Sequence, residues 1–171
     1  MIRAARVEDV EILPAIERSA GAAFRDVGMA AIADDEPLPV SAMLAYQQAG
    51  RAWVATDELD HPVAYLLLDV VDDAAHIEQV SVHPDHARRG LGRALVDTAA
   101  AWAQEHGLAA LTLTTFADVP WNAPYYARLG FSVVAEDSLS AGLRRVREHE
   151  AALGLDGWPR VVMRRSISAR R

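Results

Sequence analysis

The chain has 171 residues, of which 51% are hydrophobic and 24% charged, and this predicts one folded domain over residues 1–171. It contains neither cysteine nor lysine, which excludes disulfides, thiolate metal sites, a cysteine nucleophile and a Walker phosphate loop. The net charge of −7 disfavours nucleic-acid binding. No apolar run is long enough to span a bilayer, and the charged first residues do not resemble a secretory signal, so we expect a cytoplasmic protein.

The first half of the chain predicts two helices and four strands. Residues 7–20 carry an apolar helical stripe in which Pro14 predicts a kink or a break, and residues 34–39 form an acidic loop with prolines. Polar turns at 57–61 and 72–73 separate apolar runs, which indicates hairpin pairing. The predicted helices are 7–20 and 41–48, and the predicted strands are 2–5, 53–56, 62–71 and 74–82.

The second half of the chain alternates between helices and strands. Gly107, Gly130 and Gly154 follow helical segments, at positions where a glycine commonly ends a helix. The strand–helix–strand units favour parallel pairing, so we expect an α/β fold with a mixed sheet. The predicted helices are 93–106, 122–129 and 139–153, and the predicted strands are 108–116, 131–135 and 160–167.

One segment carries a chemical signal, residues 80–95 with the sequence VSVHPDHARRGLGRAL. A strand runs into a turn that contains Arg88, Arg89 and Gly90, and a helix begins at once. The first amides of a helix have no intrahelical partner, and the helix dipole favours an anion beside them. Gly90 and Gly92 would let a phosphate group approach the backbone closely. The segment therefore predicts a phosphate-binding turn.

The chain resembles the GNAT superfamily of acyl-CoA-dependent N-acyltransferases in three segments: Val82-His-Pro, Arg88-Arg-Gly-Leu-Gly-Arg-Ala-Leu, and Asn122 followed by Tyr126-Ala-Arg-Leu-Gly-Phe. The resemblance covers about residues 1–135 and the final strand. It implies an α/β fold with a mixed central sheet of about seven strands flanked by helices. In this fold the strands predicted at 74–82 and 108–116 splay apart to hold the cofactor arm.

The resemblance implies acetyl-CoA as co-substrate. No metal is expected, because His83 and His86 lie in a turn with Pro84 between them and no third ligand is evident. The pyrophosphate is expected on the backbone amides of residues 89–94, and the pantetheine arm along the strand edge near Val80 and Val82, where a backbone N–H would polarise the thioester carbonyl. The family usually has Gln or Arg where this chain has Ala87, which leaves Arg88 or Arg89 to supply that phosphate contact. The implied cofactor-binding residues are Val80, Val82, Arg88, Arg89, Gly90, Leu91, Gly92, Arg93, Ala94 and Asn122.

Glu78 and Tyr126 are the candidates for proton transfer. The resemblance places Tyr126 near the thioester, where a tyrosine can give a proton to the departing thiolate; the alternative is a packing role. Glu78 is the candidate general base that removes the proton of the amine, or else a surface residue in an ion pair. His76 shares its strand face by the two-residue period and is the second candidate for the base. Asn122 either touches the pantetheine or caps its helix.

The expected acceptor is a small-molecule or peptide amine, and neither nucleic acid nor membrane is an expected partner. Asp34, Asp35 and Glu36 form either a solvated loop or a cluster that attracts a cationic amine. Arg144 and Glu148 are four residues apart and predict an exposed ion pair on the last helix. Dimers are common in the family, so a homodimer is one alternative to a monomer. The alternative function is a non-catalytic domain of the same fold that binds or senses acyl-CoA.

Overall fold

A computed structural model describes residues 1–168. The described chain forms seven strands and six α-helices, and none of these helices is long and apolar enough to cross a membrane. The strands are β1 (Ile2–Ala4), β2 (Ala52–Thr56), β3 (Pro62–Val71), β4 (Ala74–Val82), β5 (Ala110–Phe116), β6 (Ser132–Val134) and β7 (Arg160–Ser166). The helices are α1 (Leu13–Gly21), α2 (Ala30–Ala33), α3 (Val40–Gln48), α4 (Leu91–Glu105), α5 (Ala123–Arg128) and α6 (Ala141–Ala152).

The strands form one mixed sheet in the order β1-β2-β3-β4-β5-β7-β6. β2 pairs antiparallel with β1 and β3, β7 pairs antiparallel with β5 and β6, and β4 runs parallel to β5. The parallel register consists of three pairs, from Ala74↔Ala110 to His76↔Thr112, and the two strands continue beyond it to Val82 and Phe116. The prediction of an α/β fold with a seven-stranded mixed sheet is confirmed.

The chain divides into two compact units, which are described separately below. The first unit comprises Met1–Leu68 and Glu78–Thr98, and the second comprises Asp69–Ile77 and the described chain from Ala99 onward. The boundaries of the predicted single domain, 1–171, stay a prediction.

The core of the first unit lies between α1, α3 and the strands β2 and β3. Helix α1 buries Leu13 and Ile16, and α3 buries Met43. Strand β3 is buried over its first seven residues, which explains its unbroken apolar sequence. The apolar cluster consists of Ala5, Val10, Leu13, Ile16, Met43, Ala52, Val54, Tyr65 and Leu67.

In the second unit, α6 lies close to the turn between β3 and β4. The backbone amide of Gly142 donates a hydrogen bond to Asp72 Oδ2 at 2.9 Å, in the first turn of the helix. A Cβ atom at Gly142 would lie 2.6 Å from that oxygen, so the approach requires a glycine. The carboxylate at this helix start also interacts favourably with the helix dipole.

Most predicted elements are confirmed, and three differences have local causes. The stripe at 7–20 is a 3₁₀ helix, Val7–Ile12, followed by α1, and Pro14 lies in the first turn of α1, where no intrahelical bond is lost. Helix α4 begins at Leu91, two residues before the predicted start, so Gly92 belongs to its first turn. The sequence predicted neither the 3₁₀ helix Ala22–Val27 nor α2, because this alanine-rich segment has no clear apolar period.

Candidate active site

The turn between β4 and α4 is shaped by local hydrogen bonds and by left-handed backbone positions. The backbone amide of Asp85 donates to His83 Nδ1 at 3.1 Å, within the 3₁₀ turn Pro84–His86. Arg88 and Gly90 have φ values of 62° and 77°. A Cβ atom at Gly90 would meet no other atom within 4 Å, so the space beside this residue is open to a ligand.

The first turn of α4 has the properties of an anion site. Ala94 donates the first intrahelical hydrogen bond, to the carbonyl oxygen of Gly90 at 3.0 Å. The amides of Leu91, Gly92 and Arg93 precede this bond and have no intrahelical acceptor. Because these donors lie at the positive end of a 15-residue helix, the turn can bind an anion such as a diphosphate group.

Arginine side chains surround this turn. Arg88, Arg89 and Arg93 are all exposed. Arg89 Nη1 lies 3.4 Å from His86 Nδ1, so the imidazole ring holds one guanidinium group beside the turn. A guanidinium group pairs with phosphate in two-pronged geometry, and Arg89 is therefore placed to supply the contact that Ala87 cannot.

The first unit also contains the part of β4 that carries the predicted base. The carboxyl-bearing residue Glu78 is exposed, Val80 and Val82 are half-buried, and Ser81 is buried. The structure thus brings together Glu78, the two valines and the whole phosphate-binding turn in one unit.

The second unit contains Asn122 and Tyr126, at the start and in the middle of α5. The side chain of Asn122 makes no capping hydrogen bond, and its Nδ2 donates to the Trp121 carbonyl at 3.2 Å. Tyr126 is 8% exposed and packs edge-on against Phe131, with ring centroids 5.8 Å apart. Burial raises the pKa of the Tyr126 phenol above its ordinary value, so this group keeps its proton at neutral pH.

His76, the second candidate for the base, belongs to the second unit and is 2% exposed. Its Nδ1 lies 2.9 Å from the hydroxyl oxygen of Thr112 on the neighbouring strand. Burial lowers the pKa of His76, and the negative charges of Asp69 and Glu150 oppose this shift. The imidazole is therefore neutral at pH 7 and held by a side-chain partner.

The charged face predicted on the last helix differs from the structure. Arg144 and Glu148 are exposed, but the ion pairs that α6 forms within the described chain join Arg147 to Glu150 at 3.0 Å, Arg147 to Asp156 at 2.7 Å, and Glu150 to Arg160 at 2.8 Å. Glu150 also accepts hydrogen bonds from Arg160 of β7 and Thr114 of β5. The face that the sequence indicated as solvated therefore includes a half-buried network.

Sequence reasoning missed one polar residue on an apolar face. Glu17 follows Leu13 by one helical turn and lies on the stripe that packs α1 into the first unit. A carboxylate at a position with apolar spacing was the available signal. Further along, the acidic loop forms two exposed ion pairs, Arg18–Glu36 at 3.1 Å and Arg25–Asp34.

Comparisons with known proteins identify structures of similar fold. The chain is similar in structure to the ribosomal-protein-S18-alanine N-acetyltransferase from Escherichia coli, with a TM-score of 0.67, 21% identity, and coverage of 100% of this chain and 96% of that one. It is also similar to a GNAT-family acetyltransferase from Staphylococcus aureus Mu50, with a TM-score of 0.73, 14% identity, and coverage of 98% and 99%.

A third similar structure is the PaiA N-acetyltransferase from Thermoplasma acidophilum in complex with coenzyme A, with a TM-score of 0.68, 15% identity, and coverage of 97% and 98%. At these identities the likeness shows the fold. The family itself is shown by the sequence model of the acetyltransferase (GNAT) family, which matches residues 14–131, more than half of the chain. This protein therefore belongs to the GNAT family of acetyltransferases.

Proposed function

We propose that this GNAT acetyltransferase transfers the acetyl group of acetyl-CoA to a primary amine by direct attack within a ternary complex. The observation that carries the proposal is the first turn of α4, where three amides without intrahelical acceptors lie beside open space at Gly90. Exposed arginines next to this turn suit the diphosphate of coenzyme A. A similar structure, the Thermoplasma protein, contains coenzyme A, which supports the choice of co-substrate.

In the proposed complex the diphosphate accepts hydrogen bonds from the amides of residues 89–94. The pantetheine arm follows the edge of β4, where a backbone N–H near Val80 or Val82 polarises the thioester carbonyl. Asn122, whose side chain makes no cap bond to its helix, is then available to touch the arm. The residues proposed to bind acetyl-CoA are thus those predicted from the sequence.

The proposed chemistry uses Glu78 as base and Tyr126 as acid. Glu78 takes one proton from the ammonium form of the acceptor, and the neutral nitrogen forms a C–N bond with the thioester carbonyl carbon. The C–S bond then breaks, and the leaving thiolate takes the phenolic proton of Tyr126. The second proton lost by the nitrogen restores the phenol, and Glu78 returns its proton to solvent. His76 is the alternative base in this scheme.

The proposed acceptor is a small-molecule or peptide amine, and the enzyme acts where acetyl-CoA is available, in the cytoplasm. The acceptor of the Escherichia coli protein is an alanine of ribosomal protein S18, but this is a property of that protein. The proposal includes two alternatives for the oligomeric state, a monomer and a homodimer.

Release of coenzyme A in the presence of amines tests the proposal. Because this chain has no cysteine, a thiol-reactive dye reports only the released coenzyme A. The absence of lysine also removes acetylation of its own lysine side chains as a background reaction. We expect release to exceed the hydrolysis rate with at least one member of a panel of alkylamines, amino acids and short peptides, and mass spectrometry to show the acetylated amine.

Two results would contradict the proposal in different ways. Tight binding of coenzyme A, measured by calorimetry, without turnover across the panel would indicate a non-catalytic acyl-CoA sensor. No binding of coenzyme A at all would remove the phosphate-binding role of α4 and with it the transferase mechanism.

A further inference from the structure

A shielded carboxyl group on α1 has no part in the mechanism proposed above. Glu17 directly follows Ile16, which is 3% exposed. The Oε2 atom of Glu17 is shielded from solvent and has no hydrogen-bond partner within residues 1–168. Burial raises the pKa of this carboxyl to about 7, the charge of Arg18 opposes the rise, and the charge of Asp35 adds to it.

The hydroxyl group of Tyr65 is a second unpaired polar group in the same unit. Tyr65 is 0% exposed in the middle of β3, and its hydroxyl oxygen has no hydrogen-bond partner within the part of the chain described. Burial and the charge of Glu17 raise the pKa of Tyr65, and the hydroxyl group of Ser81, which lies near the phenol but outside strict hydrogen-bond geometry, opposes the rise. The Tyr65 hydroxyl therefore lies within electrostatic range of both Glu17 and Ser81. On β4, Ser81 is 5% exposed and accepts a hydrogen bond from Gln79 Nε2 at 2.8 Å.

Shielded polar atoms without partners destabilise a fold unless water or a ligand supplies the missing hydrogen bonds. The Glu17 carboxylate needs a donor, and the Tyr65 hydroxyl can accept or donate. A primary ammonium group has three N–H donors and one positive charge, so it can bond to both groups and compensate the charge of the carboxylate. A neutral alcohol has one donor and no charge, and a quaternary ammonium ion has no donor.

We propose that Glu17 and Tyr65 form the subsite that binds the ammonium group of the acceptor. This inference rests on the proposed function, because it identifies the bound cation as the amine to be acetylated. Ser81 adjoins Val80 and Val82, where the thioester is proposed to lie, so subsite and acyl group share strand β4. Glu17 holds the ammonium group here, and proton removal remains with Glu78. The subsite selects primary alkylammonium acceptors over neutral and quaternary ones.

A binding experiment on the full chain tests the subsite without turnover. The chain is labelled with ¹³C at the glutamate carboxyl carbons, Glu17→Gln assigns the Glu17 signal, and the signal is titrated with pH. Adding n-butylammonium should lower the apparent pKa of Glu17 by about 1 unit or more, since an adjacent cation favours the carboxylate. Butanol should leave it unchanged, and tetramethylammonium at equal ionic strength should have a much smaller effect. Equal shifts with both cations, or none with butylammonium, would overturn the proposal.

A kinetic experiment tests whether the bound cation is the acceptor. Glu17→Gln should raise the KM for the amine about tenfold or more and leave kcat within about threefold, because the lost interaction serves binding. The Kd for coenzyme A should not change. Tyr65→Phe removes one hydroxyl group, should raise the amine KM about threefold, and provides a second variant if Glu17→Gln folds poorly. Glu11→Gln, an exposed glutamate before α1, is the matched control.

The outcomes separate this inference from the proposed function. An unchanged amine KM in both variants, with an active wild-type enzyme, would overturn the subsite and leave the transferase proposal intact. Butylammonium binding at Glu17 in a wild-type protein without turnover would contradict the proposed function and also the assignment of the bound cation as acceptor.

Discussion

The proposed mechanism requires Tyr126 to be protonated so that it can act as the acid. Its phenol is buried, and its raised pKa keeps it protonated, as a proton donor to a thiolate must be. Tyr126→Phe should lower kcat about 100-fold or more, because positioned acids contribute roughly that much, and it should change the Kd for coenzyme A less than about threefold. Steady-state kinetics and calorimetry measure the two quantities.

The neighbouring tyrosine provides the control for this substitution. Tyr125 is half-buried and its ring lies 5.3 Å from that of Tyr126, so Tyr125→Phe removes a hydroxyl group from the same helix. We expect it to retain most of the wild-type kcat. A Tyr126→Phe enzyme with undiminished kcat would assign Tyr126 to packing alone.

A second residue-level prediction concerns Asp9, whose carboxylate is hydrogen-bonded to Arg3 of β1 and to the backbone of Arg6. Asp9 is 4% exposed and accepts hydrogen bonds from Arg3 Nη1 at 2.6 Å and from the Arg6 amide at 2.7 Å. Asp9→Asn should lower the free energy of unfolding at pH 7 by about 2 kcal/mol, measured by urea denaturation, because the half-buried Arg3 guanidinium loses the more buried of its two carboxylate partners. Asp60→Asn removes a more exposed partner of Arg3 and should cost less than about 1 kcal/mol.

The pH dependence of the Asp9 effect has a definite sign. Burial alone would raise the pKa of Asp9, but the hydrogen bonds from Arg3 and from the Arg6 amide bring it below its usual value of 3.8. The stabilisation is therefore present above pH 3.8 and is lost as the pH falls through the folded-state pKa. The difference between wild type and Asp9→Asn should shrink in acid, and a constant difference down to pH 2 would contradict this account.

At the scale of elements, the proposed diphosphate-binding site is the first turn of α4, and a change of charge there tests it. Gly92→Asp places a carboxylate where the diphosphate is proposed to bind, and we expect the affinity for coenzyme A to fall at least about 100-fold. The fold should persist, because an acidic residue in the first turn interacts well with the helix dipole. Ala101→Asp makes the same charge change at an exposed site on the same helix and should bind coenzyme A like wild type.

Helix α6 is held against β7 of the second unit by an ion pair as well as by apolar contacts. The side chain of Arg160 is 8% exposed, and its Nη2 lies 2.8 Å from Glu150 Oε2. Glu150→Ala would leave this guanidinium buried without its carboxylate, and we expect a loss of about 3 kcal/mol in unfolding free energy. Glu148→Ala, on the exposed face of the same helix, should change it by less than about 0.5 kcal/mol. Equal effects would show that the network contributes nothing to stability.

Local sequence signals predicted the elements well where turn chemistry and apolar runs coincide. Strands β3 and β4 have the predicted bounds because polar turns at residues 57–61 and 72–73 precede the continuous apolar run of β3 and the more mixed sequence of β4. The partners of Glu150 could not be predicted in this way, because Thr114 and Arg160 are distant in sequence and meet only after β5 and β7 pair. Spacing within the helix predicted an ion pair between Arg144 and Glu148, whereas the tertiary contacts of the folded chain pair Glu150 with Thr114 and Arg160.

At the scale of the whole molecule, the fold and the candidate cofactor site can be predicted from the sequence more fully than an acceptor site can. Residues 80–95 form a strand, a turn and the start of a helix in direct succession, so their spacing alone indicates the amides and glycines of the proposed phosphate-binding turn. The proposed ammonium subsite combines Glu17 of α1 with Tyr65 of β3, which are 48 positions apart. The apolar spacing of Glu17 on α1 is visible in the sequence, but only the folded structure shows that its Oε2 atom is shielded and has no hydrogen-bond partner within the described residues.

The titrations of Glu17 and His76 change the free energy of unfolding in opposite directions as the pH rises. The pKa of Glu17 rises on folding from 4.5 to about 7, so its contribution to stability is complete below pH 4.5 and is lost as the pH rises to 7. The pKa of His76 is lowered by burial from 6.5, so its contribution is present above pH 6.5 and is lost as the pH falls through the folded-state value. In the wild-type protein the loss of stability due to Glu17 is therefore opposed by the gain due to His76 as the pH rises towards 6.5.

Removing Glu17 should expose the dependence on His76. In Glu17→Gln the free energy of unfolding should rise as the pH approaches 6.5 and then level off, because the contribution of His76 is no longer opposed by that of Glu17. Relative to wild type, the variant should gain about 3 kcal/mol between pH 4.5 and pH 8, the free energy that corresponds to the shift of Glu17. Urea denaturation at half-unit pH steps measures both curves. Parallel curves for the two proteins would mean that Glu17 titrates as an ordinary carboxyl group, and the shielded environment assigned to it would be wrong.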